Sequence, residues 1–375
     1  MIPLFKVAMS DDASARVTEV LHSGYIGEGP RVAEFEQALA GRIGNQRVAT
    51  VNSATSGLHL ALRLVAGGPE STGAEPAEVL TTALTCTATN WPILANGLHI
   101  RWADVDPATL NVDLDDLERK ITPLTRAVVV VHWAGYPVDL DRLRDIVGRA
   151  EQRYGFALPV IEDCAHAWGA TYRDRHLGNH GNLAVFSFQA IKHLTCGDGG
   201  LLVLPDADLH RRARLLRWYG IDRATSERTR LTDDIPEFGY KFHMNDISAA
   251  IGLANFSLAD EGLRRHRENS AYYDAELGDV PGLELTERAP DRESACWIYS
   301  IKVENREAFA KKMEAAGIMV SHVHERNDRY SCVQAYRAEL PGLDSVADRM
   351  ISIPVGWWLS DEDRAHIAAT IRSGW

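Results

Sequence analysis

The sequence predicts an α/β protein built on an open, mostly parallel sheet with helices on both faces. Between residues 47 and 205, strand-like apolar runs alternate with helical stretches, which is typical of parallel strands joined by right-handed crossovers. Residues 127–131 are all apolar, as in a strand buried on both faces. Near residue 255 the order of elements changes. We therefore expect a large domain over residues 1–250 and a smaller α/β domain over residues 251–375.

The large domain begins with a predicted helix, turn and helix over residues 10–42, interrupted by the glycine-rich segment 23–30. Strands of the sheet are predicted at 47–51, 78–83, 99–105, 127–132, 158–162, 184–188 and 200–204. Helices are predicted at 58–65, 88–95, 113–121, 140–154 and 209–218. The last two strands should form a hairpin, and the Gly/Pro-rich residues 67–76 should form a surface loop.

A long predicted helix leads into the smaller domain. Asp246 is its expected N-terminal cap, and the apolar pattern continues toward Arg264. Strands are predicted at 297–303 and 319–322, with a helix at 306–316 between them and a terminal helix at 361–371.

The composition narrows the class of function. A formal net charge of −12 over 375 residues disfavours a nucleic-acid partner, because phosphate binding needs a basic face. No apolar run reaches the roughly 18 residues of a membrane span, and the N-terminus lacks the apolar core of a signal peptide. Five scattered cysteines without a CxxC pair argue against a disulfide framework or a zinc site. We therefore expect a cytoplasmic protein without a metal centre.

One lysine stands between an aromatic strand and a glycine-rich turn. Lys192 follows the segment 186–188 and precedes the segment 197–200, and Asp163 lies at an earlier strand end. A lysine amine can join an aldehyde cofactor as an imine, and a buried carboxylate can keep a pyridine nitrogen protonated. Ligands of open α/β sheets collect at the carboxyl ends of strands. Lys192 and Asp163 therefore predict a pyridoxal 5'-phosphate enzyme in which Lys192 forms the imine.

The phosphate of this cofactor needs hydroxyls and free backbone N–H groups. Thr55 and Ser56 stand where a strand passes into a helix, and a helix N-terminus offers N–H donors and a positive dipole end. Ser187 is a third candidate, at the end of another strand. Small hydroxylated residues also cap ordinary helices, so it is their order along the chain with Asp163 and Lys192 that indicates a cofactor site.

Several segments together match one known family. They are SGYIG at 23–27, VNSATSGLHL at 51–60, EDCAHA at 162–167, FSF at 186–188 with Lys192, GDGG at 197–200 and GYKFHMNDISAA at 239–250. On these segments the chain resembles the sugar aminotransferases of the DegT/DnrJ/EryC1/StrS group. The resemblance covers nearly the whole chain. It implies a fold type I pyridoxal-phosphate enzyme, with a mostly parallel seven-stranded sheet in the large domain.

The resemblance implies roles for the matching residues. Lys192 is similar to the aldimine lysine of the family, and Asp163 to the partner of the pyridine nitrogen. Ser187, Thr55 and Ser56 match the phosphate ligands.

Three further positions carry expectations from the same resemblance. His166 matches a position near the ring hydroxyl of the cofactor. Cys86 stands where many members have an aromatic residue stacked on the ring, which puts cofactor affinity in doubt. The family is a homodimer in which the neighbouring subunit reaches the phosphate, usually with Asn. Here that position is Lys241, which could bind phosphate as a point charge.

The activity implied is transfer of an amino group to a keto-sugar, with L-glutamate as the expected donor and pyridoxamine phosphate as intermediate. The expected acceptor is a nucleotide-linked keto-deoxysugar, and Tyr25, His322 and His324 are candidate substrate-binding residues. Two alternatives stay open: an aminotransferase for a free sugar acid such as 8-oxo-3-deoxy-octulosonate, and a pyridoxal-phosphate-dependent sugar dehydratase. Dehydratases of the group have His in place of the lysine, so Lys192 favours transamination.

Overall fold

The computed structural model describes residues 1–67, 77–223 and 232–375. The loop predicted at 67–76 therefore lies outside the described residues, apart from Gly67. The strands are β1 (Val48–Val51), β2 (Glu78–Thr82), β3 (His99–Ala103), β4 (Thr125–Val131), β5 (Val160–Asp163), β6 (Thr171–Tyr172), β7 (Arg175–His176), β8 (Leu183–Ser187), β9 (Gly200–Val203), β10 (Leu283–Leu285), β11 (Arg292–Glu293), β12 (Tyr299–Val303) and β13 (Met350–Ile353).

The helices follow the apolar periodicity of the sequence. They are α1 (Ala13–Ser23), α2 (Pro30–Ile43), α3 (Ala54–Ala66), α4 (Thr87–Ala95), α5 (Leu114–Lys120), α6 (Leu140–Tyr154), α7 (Ala207–Leu216), α8 (Asp246–Leu277), α9 (Arg306–Ala315), α10 (Pro341–Ala347) and α11 (Asp361–Arg372). The predicted helices of the large domain are thus confirmed to within a few residues at their ends.

The large sheet has seven strands in the order β1-β9-β8-β5-β4-β2-β3. Strands β8, β5, β4, β2 and β3 are mutually parallel, whereas β9 is antiparallel to both of its neighbours. This confirms the predicted α/β class and the hairpin of the last two strands. Val131 of β4 pairs with Asp163 of β5, so the parallel strands end together at one edge of the sheet.

Helices cover both faces of this sheet, as the apolar strands require. Along β4, Val128 and Val130 pack into one core cluster with Phe35 of α2, while Val129 packs into the other with Leu62 of α3. Alternate side chains of one strand therefore serve opposite layers. Gly57 allows α3 to lie close to the sheet, because a Cβ there would come within 2.8 Å of Val185 Cγ1.

The C-terminal part has a three-stranded sheet of β10, β12 and β13, with its own apolar cluster. Helix α8 joins both parts, because Leu263 belongs to a core of the large sheet and Tyr273 to the C-terminal cluster. The N-terminus also packs here, where Ile2 N–H donates to Gly317 O at 2.7 Å. The division into residues 1–250 and 251–375 stays a prediction.

Two local predictions were wrong. Asn245, not Asp246, caps α8 and accepts from Ser248 N–H, and the helix continues beyond Arg264 to Leu277. The Asp246 side chain instead accepts hydrogen bonds from backbone N–H groups at the start of α2. Residues 319–322 form no strand. Only isolated bridges at Ile318 and Ser321 connect this segment to its neighbours, because the chain turns there into the loop that carries His324.

Among the helices of the described residues, none is long and apolar enough to cross a membrane.

Candidate active site

A cavity of about 560 Å³ opens at the carboxyl ends of three neighbouring strands. Val131, Asp163 and Ser187 are the last residues of β4, β5 and β8, and all three line it. Lys192 and Thr55 complete the wall, each from a segment that follows a strand. The structure thus brings together residues that are far apart in sequence at the sheet edge where α/β folds bind ligands.

The Lys192 side chain reaches into this cavity from the loop after β8. Lys192 N–H donates to Gln189 O at 2.9 Å, which tightens the loop. The Nζ atom lies 3.4 Å from the ring centroid of Trp297. Burial lowers the pKa of Lys192 to about 7, and the nearby Asp163 carboxylate opposes that shift. Near neutral pH the amine is therefore divided between its neutral and its charged form.

Asp163 is a buried carboxylate with few partners. Thr89 Oγ1 donates to Oδ2 at 2.7 Å, and Ala165 N–H donates to Oδ1 at 3.0 Å. Burial raises the pKa of Asp163 above its ordinary value, and the two hydrogen bonds work against this. A cationic ring nitrogen placed beside it would lower that pKa again, because opposite charges stabilise each other strongly where water is excluded.

An anion cradle lies at the N-terminus of α3. Ser53 is the N-cap residue, and its side chain accepts from Ser56 N–H at 3.1 Å. Thr55 lines the cavity, whereas the Ser56 hydroxyl donates to Asn52 Oδ1 at 2.7 Å and does not line it. Gly200 lies against the start of α3, and a glycine is required there because a Cβ would lie 2.7 Å from Ala54 N.

A second wall of the cavity consists of stacked rings. His166 stacks on Trp297 with ring centroids 4.0 Å apart, and it also stacks on His324 at 5.5 Å. Burial lowers the pKa of His166 well below its ordinary value, so its ring is neutral. Its Nδ1 atom is buried and has no hydrogen-bond partner in the part of the chain that the structure describes. Such an atom indicates a group that a ligand would satisfy.

Of the predicted site residues, Thr55, Cys86, Asp163, His166, Ser187, Lys192 and His324 line the cavity. Ser56 lies in the same turn. Tyr25, Lys241 and His322 do not line it: Tyr25 is 68% exposed, Lys241 is exposed, and His322 lies half-exposed with Nε2 3.7 Å from Glu325.

The structure adds two residues to the site that no pattern in the sequence indicates. Trp297 was predicted only as the start of a strand, and nothing in its neighbours indicates that it lies beneath Lys192. Thr89 belongs to the segment 85–90, whose alternating threonines are also typical of an ordinary helix start. Its hydrogen bond to Asp163 becomes visible only when α4 is placed against β5.

The cluster of His132, Glu162 and Cys164 lies buried within the large sheet, with ligand atoms within 4.8 Å of one another. His132 and Glu162 already have protein partners: His132 Nε2 lies 2.9 Å from Glu162 Oε2, and Val138 N–H donates to His132 Nδ1 at 3.0 Å. Burial raises the pKa of Cys164 well above its ordinary value, and a metal ion needs the thiolate. The arrangement is that of a hydrogen-bonded core.

The residues around the cavity fit pyridoxal 5'-phosphate. A buried carboxylate, a lysine with a lowered pKa and a glycine-bordered helix N-terminus surround one space, and His166 lines the same cavity. The carboxylate would face the ring nitrogen and the lysine the aldehyde. The helix N-terminus would hold the phosphate, and His166 would lie near the ring hydroxyl.

Comparisons with known proteins agree with this geometry. The model of the DegT/DnrJ/EryC1/StrS aminotransferase family matches residues 8–372. The chain is 64% identical to AtS13 from Actinomadura melliaura, with a TM-score of 0.96, over 100% of this chain and 99% of that one. It is 59% identical to the sugar aminotransferase CalS13 from Micromonospora echinospora, with a TM-score of 0.96, over 100% of both chains. The PLP form of the sugar aminotransferase Spr1654 from Streptococcus pneumoniae is 25% identical, with a TM-score of 0.89, over 99% of this chain and 98% of that one.

Proposed function

The chain belongs to the DegT/DnrJ/EryC1/StrS aminotransferase family, and from that premise we propose that it transfers the amino group of L-glutamate to a nucleotide-linked keto-deoxysugar in amino-sugar biosynthesis. As a member it is an enzyme with the fold type I architecture. The proposal extends to its cofactor, pyridoxal 5'-phosphate, and to the residue that binds it covalently, Lys192.

The observation that carries this proposal is that Lys192, Asp163 and Thr55 line one cavity. Pyridoxal phosphate, when bound, supplies an electron sink for the carbon next to the transferred nitrogen. Asp163 would keep the ring nitrogen protonated, and the α3 N-terminus with Thr55 and Ser187 would hold the phosphate. His166, which lines the same cavity, would lie beside the cofactor.

Lys192 would also move the proton. Its pKa of about 7 leaves a large fraction of the amine neutral at cytoplasmic pH. A neutral amine can take a proton from one carbon and, as the ammonium, return it to the next. Trp297 and His166, which are both buried, line the cavity beside the amine.

Lys192 supports transamination over the dehydratase alternative. The dehydratases of the group have a histidine at this position, and a histidine cannot form the covalent link to the cofactor. The relative CalS13 is named a sugar aminotransferase, which supports a sugar as the acceptor. His324 lines the cavity and is the best-placed of the candidate substrate ligands. A free sugar acid remains the second candidate acceptor. Substrates with and without the nucleotide distinguish whether the nucleotide is required.

The proposal includes a cytoplasmic homodimer with shared active sites. Segments 25–28 and 217–223 are joined by the ion pairs of Glu28 with Arg217 and Arg223. Segment 235–246 lies beside both, because Tyr219 N–H donates to Tyr240 O and Asp246 N–H donates to Gly27 O. They expose large apolar side chains together, namely Tyr25, Ile26, Tyr219, Ile235 and Phe238. We propose that a second copy covers this surface and that its Lys241 and Tyr25 reach the cavity of the first.

The test supplies ¹⁵N-labelled glutamate with three keto compounds: a nucleotide-linked keto-deoxysugar, the same sugar without its nucleotide, and 8-oxo-3-deoxy-octulosonate. Mass spectrometry follows label in the product. We expect label in the nucleotide-linked amino-sugar only, and none with Lys192→Ala. Label in the free acid alone would replace the proposed acceptor, and loss of water without label would replace the reaction by dehydration.

A further inference from the structure

The face of Trp297 is the surface on which the Lys192 amine rests. The Nζ atom lies 3.4 Å from the centroid of the indole ring, and Trp297 is buried. An ammonium over an aromatic face is attracted by the negative centre of the ring, and indole attracts it most strongly among the aromatic side chains. The attraction grows where water is excluded. The contact thus favours the charged amine in a place where burial disfavours it.

Trp297 is fixed relative to the lysine by its own hydrogen bonds. Its Nε1–H donates at 3.0 Å to the carbonyl of Ile191, the residue directly before Lys192. Its backbone N–H donates at 3.0 Å to Ala134 O, and Phe5 stacks on its ring with centroids 5.2 Å apart. The ring is therefore tied to the same loop that carries the amine, and it cannot rotate without breaking these contacts.

We propose that Trp297 is a positioning residue that receives the Lys192 amine on its indole face whenever this amine is not bonded to the cofactor. The inference rests on the proposed function, in which Lys192 must leave the cofactor and act as proton carrier. A free lysine side chain samples many rotamers. A defined resting place keeps its amine near the reacting carbon instead of allowing it to swing into the open cavity.

Other ionisable groups also face the amine. They are Asp163, Cys86, His166, His193 and His324, with Asp198 on the cavity wall. Asp163 favours the ammonium, and burial outweighs it to give the pKa of about 7. His166, His193 and His324 are neutral, because burial lowers the pKa of each. Cys86 also favours the ammonium, and Trp297 adds the attraction of an uncharged ring.

The experiment measures the pH dependence of Lys192 labelling in the full-length chain after removal of cofactor with hydroxylamine. A small amine-reactive reagent is applied between pH 5 and pH 9, and peptide mass spectrometry quantifies the label on Lys192. Trp297→Leu keeps the site apolar but removes the ring. We expect it to lower the apparent pKa of Lys192 by about one unit, and so to increase labelling at pH 6 about fivefold.

Trp297→Phe tests the effect of the aromatic ring separately from that of the indole hydrogen bond to Ile191 O. Both variants lose the bond to Ile191 O, but Phe keeps an aromatic face, so it should recover most of the wild-type pKa and fall short of it by a measurable amount. An unchanged or raised pKa in Trp297→Leu overturns the inference, and so does a Phe variant that matches the Leu variant. If the Leu variant does not fold, an unchanged pKa in Trp297→Phe alone overturns it.

Trp168→Phe is the matched control, because Trp168 is equally buried but packs against Phe186 and Phe188 in the core of the large sheet. It should leave the labelling profile of Lys192 unchanged. Adding pyridoxal phosphate to the wild-type chain tests the proposed function separately from the proposed role of Trp297. If Lys192 fails to capture the cofactor, the proposed function fails, whereas the labelling profile still decides the role of Trp297.

Discussion

Single residues decide the chemistry through their surroundings rather than through their type. Lys192 would be an ordinary surface cation elsewhere, but burial in the cavity lowers its pKa to about 7, and its amine lies over the ring of Trp297. Asp163 is similar, because Thr89 and Ala165 orient its carboxylate without neutralising it. The sequence predicted the identity of both residues, but the contacts that tune them come from α4 and from residues near 297, which are distant along the chain.

Asp163→Asn tests the charge at the ring nitrogen. The amide is nearly isosteric but cannot stabilise a protonated pyridine, so the single-turnover reaction with glutamate should slow by roughly 100-fold or more. Stopped-flow absorbance of the bound cofactor measures it.

Thr89→Val serves as the control for this change, because it removes one hydrogen bond to Asp163 and keeps the charge. Its rate should fall no more than about tenfold. A wild-type rate in Asp163→Asn would contradict the assigned role.

At the scale of elements, the site depends on how closely α3 approaches β9. Gly200 begins β9 and lies against Ser53 and Ala54, where an added Cβ would meet backbone atoms at 2.8 and 2.7 Å. The motif predicted a glycine-rich turn, but its partner, the start of α3, follows only from the antiparallel pairing of β1 with β9.

Gly200→Ala should therefore weaken cofactor binding. The α3 N-terminus must move to accept the methyl group, and displacement of a binding group by a fraction of an ångström should raise the dissociation constant of pyridoxal phosphate by about tenfold or more. A fluorescence titration measures it. Gly148→Ala in α6 is the control, because a Cβ there meets nothing within 4 Å. Equal affinities in the two variants would show that α3 does not hold the phosphate.

The start of α2 depends on a residue of another helix. Asp246, at the first position of α8, accepts from Gly29 N–H at 2.9 Å and from Val32 N–H at 3.0 Å, and thereby caps α2. The sequence pattern suggested a cap, but it could not tell which helix Asp246 would serve. Asn245 takes the local role at α8.

Asp246→Ala should leave these buried amides of α2 without partners. We expect the free energy of unfolding to fall by about 2–4 kcal/mol, more than for an exposed cap, because the site is desolvated. Urea denaturation measures the loss. Asp12→Ala is the control: Asp12 precedes α1 but makes no capping bond, so the change should stay within about 0.5 kcal/mol. Similar losses in both variants would rule out the capping role.

At the scale of the whole molecule, the sequence predicted the α/β class, the mostly parallel sheet and the order of most elements. It predicted them because each buried strand is a short apolar run and each helix has its own periodicity. The contribution of the N-terminus was not predicted. Residues 2 and 3 hold the C-terminal part through Gly317 and Trp358, contacts that no local pattern encodes.

Shared active sites would make the dimer the functional unit. Lys192→Ala and Lys241→Ala should each give a poorly active enzyme at limiting cofactor, but unfolding and refolding a mixture should restore activity. In a hybrid dimer, one site combines Lys192 of one subunit with Lys241 of the other, and both are native there. Activity of the mixture, with light scattering to establish a mass of twice 41.5 kDa, measures this. A mixture no more active than its components would contradict sharing of Lys241.

The most direct test of the account is to identify the lysine that carries the cofactor. The purified chain is incubated with pyridoxal phosphate, reduced with borohydride, digested and mapped by peptide mass. We predict one modified peptide, with the cofactor mass on Lys192, loss of the near-visible absorbance band on reduction, and no such peptide from Lys192→Ala. Modification of a different lysine, or an unchanged band in Lys192→Ala, would contradict the account.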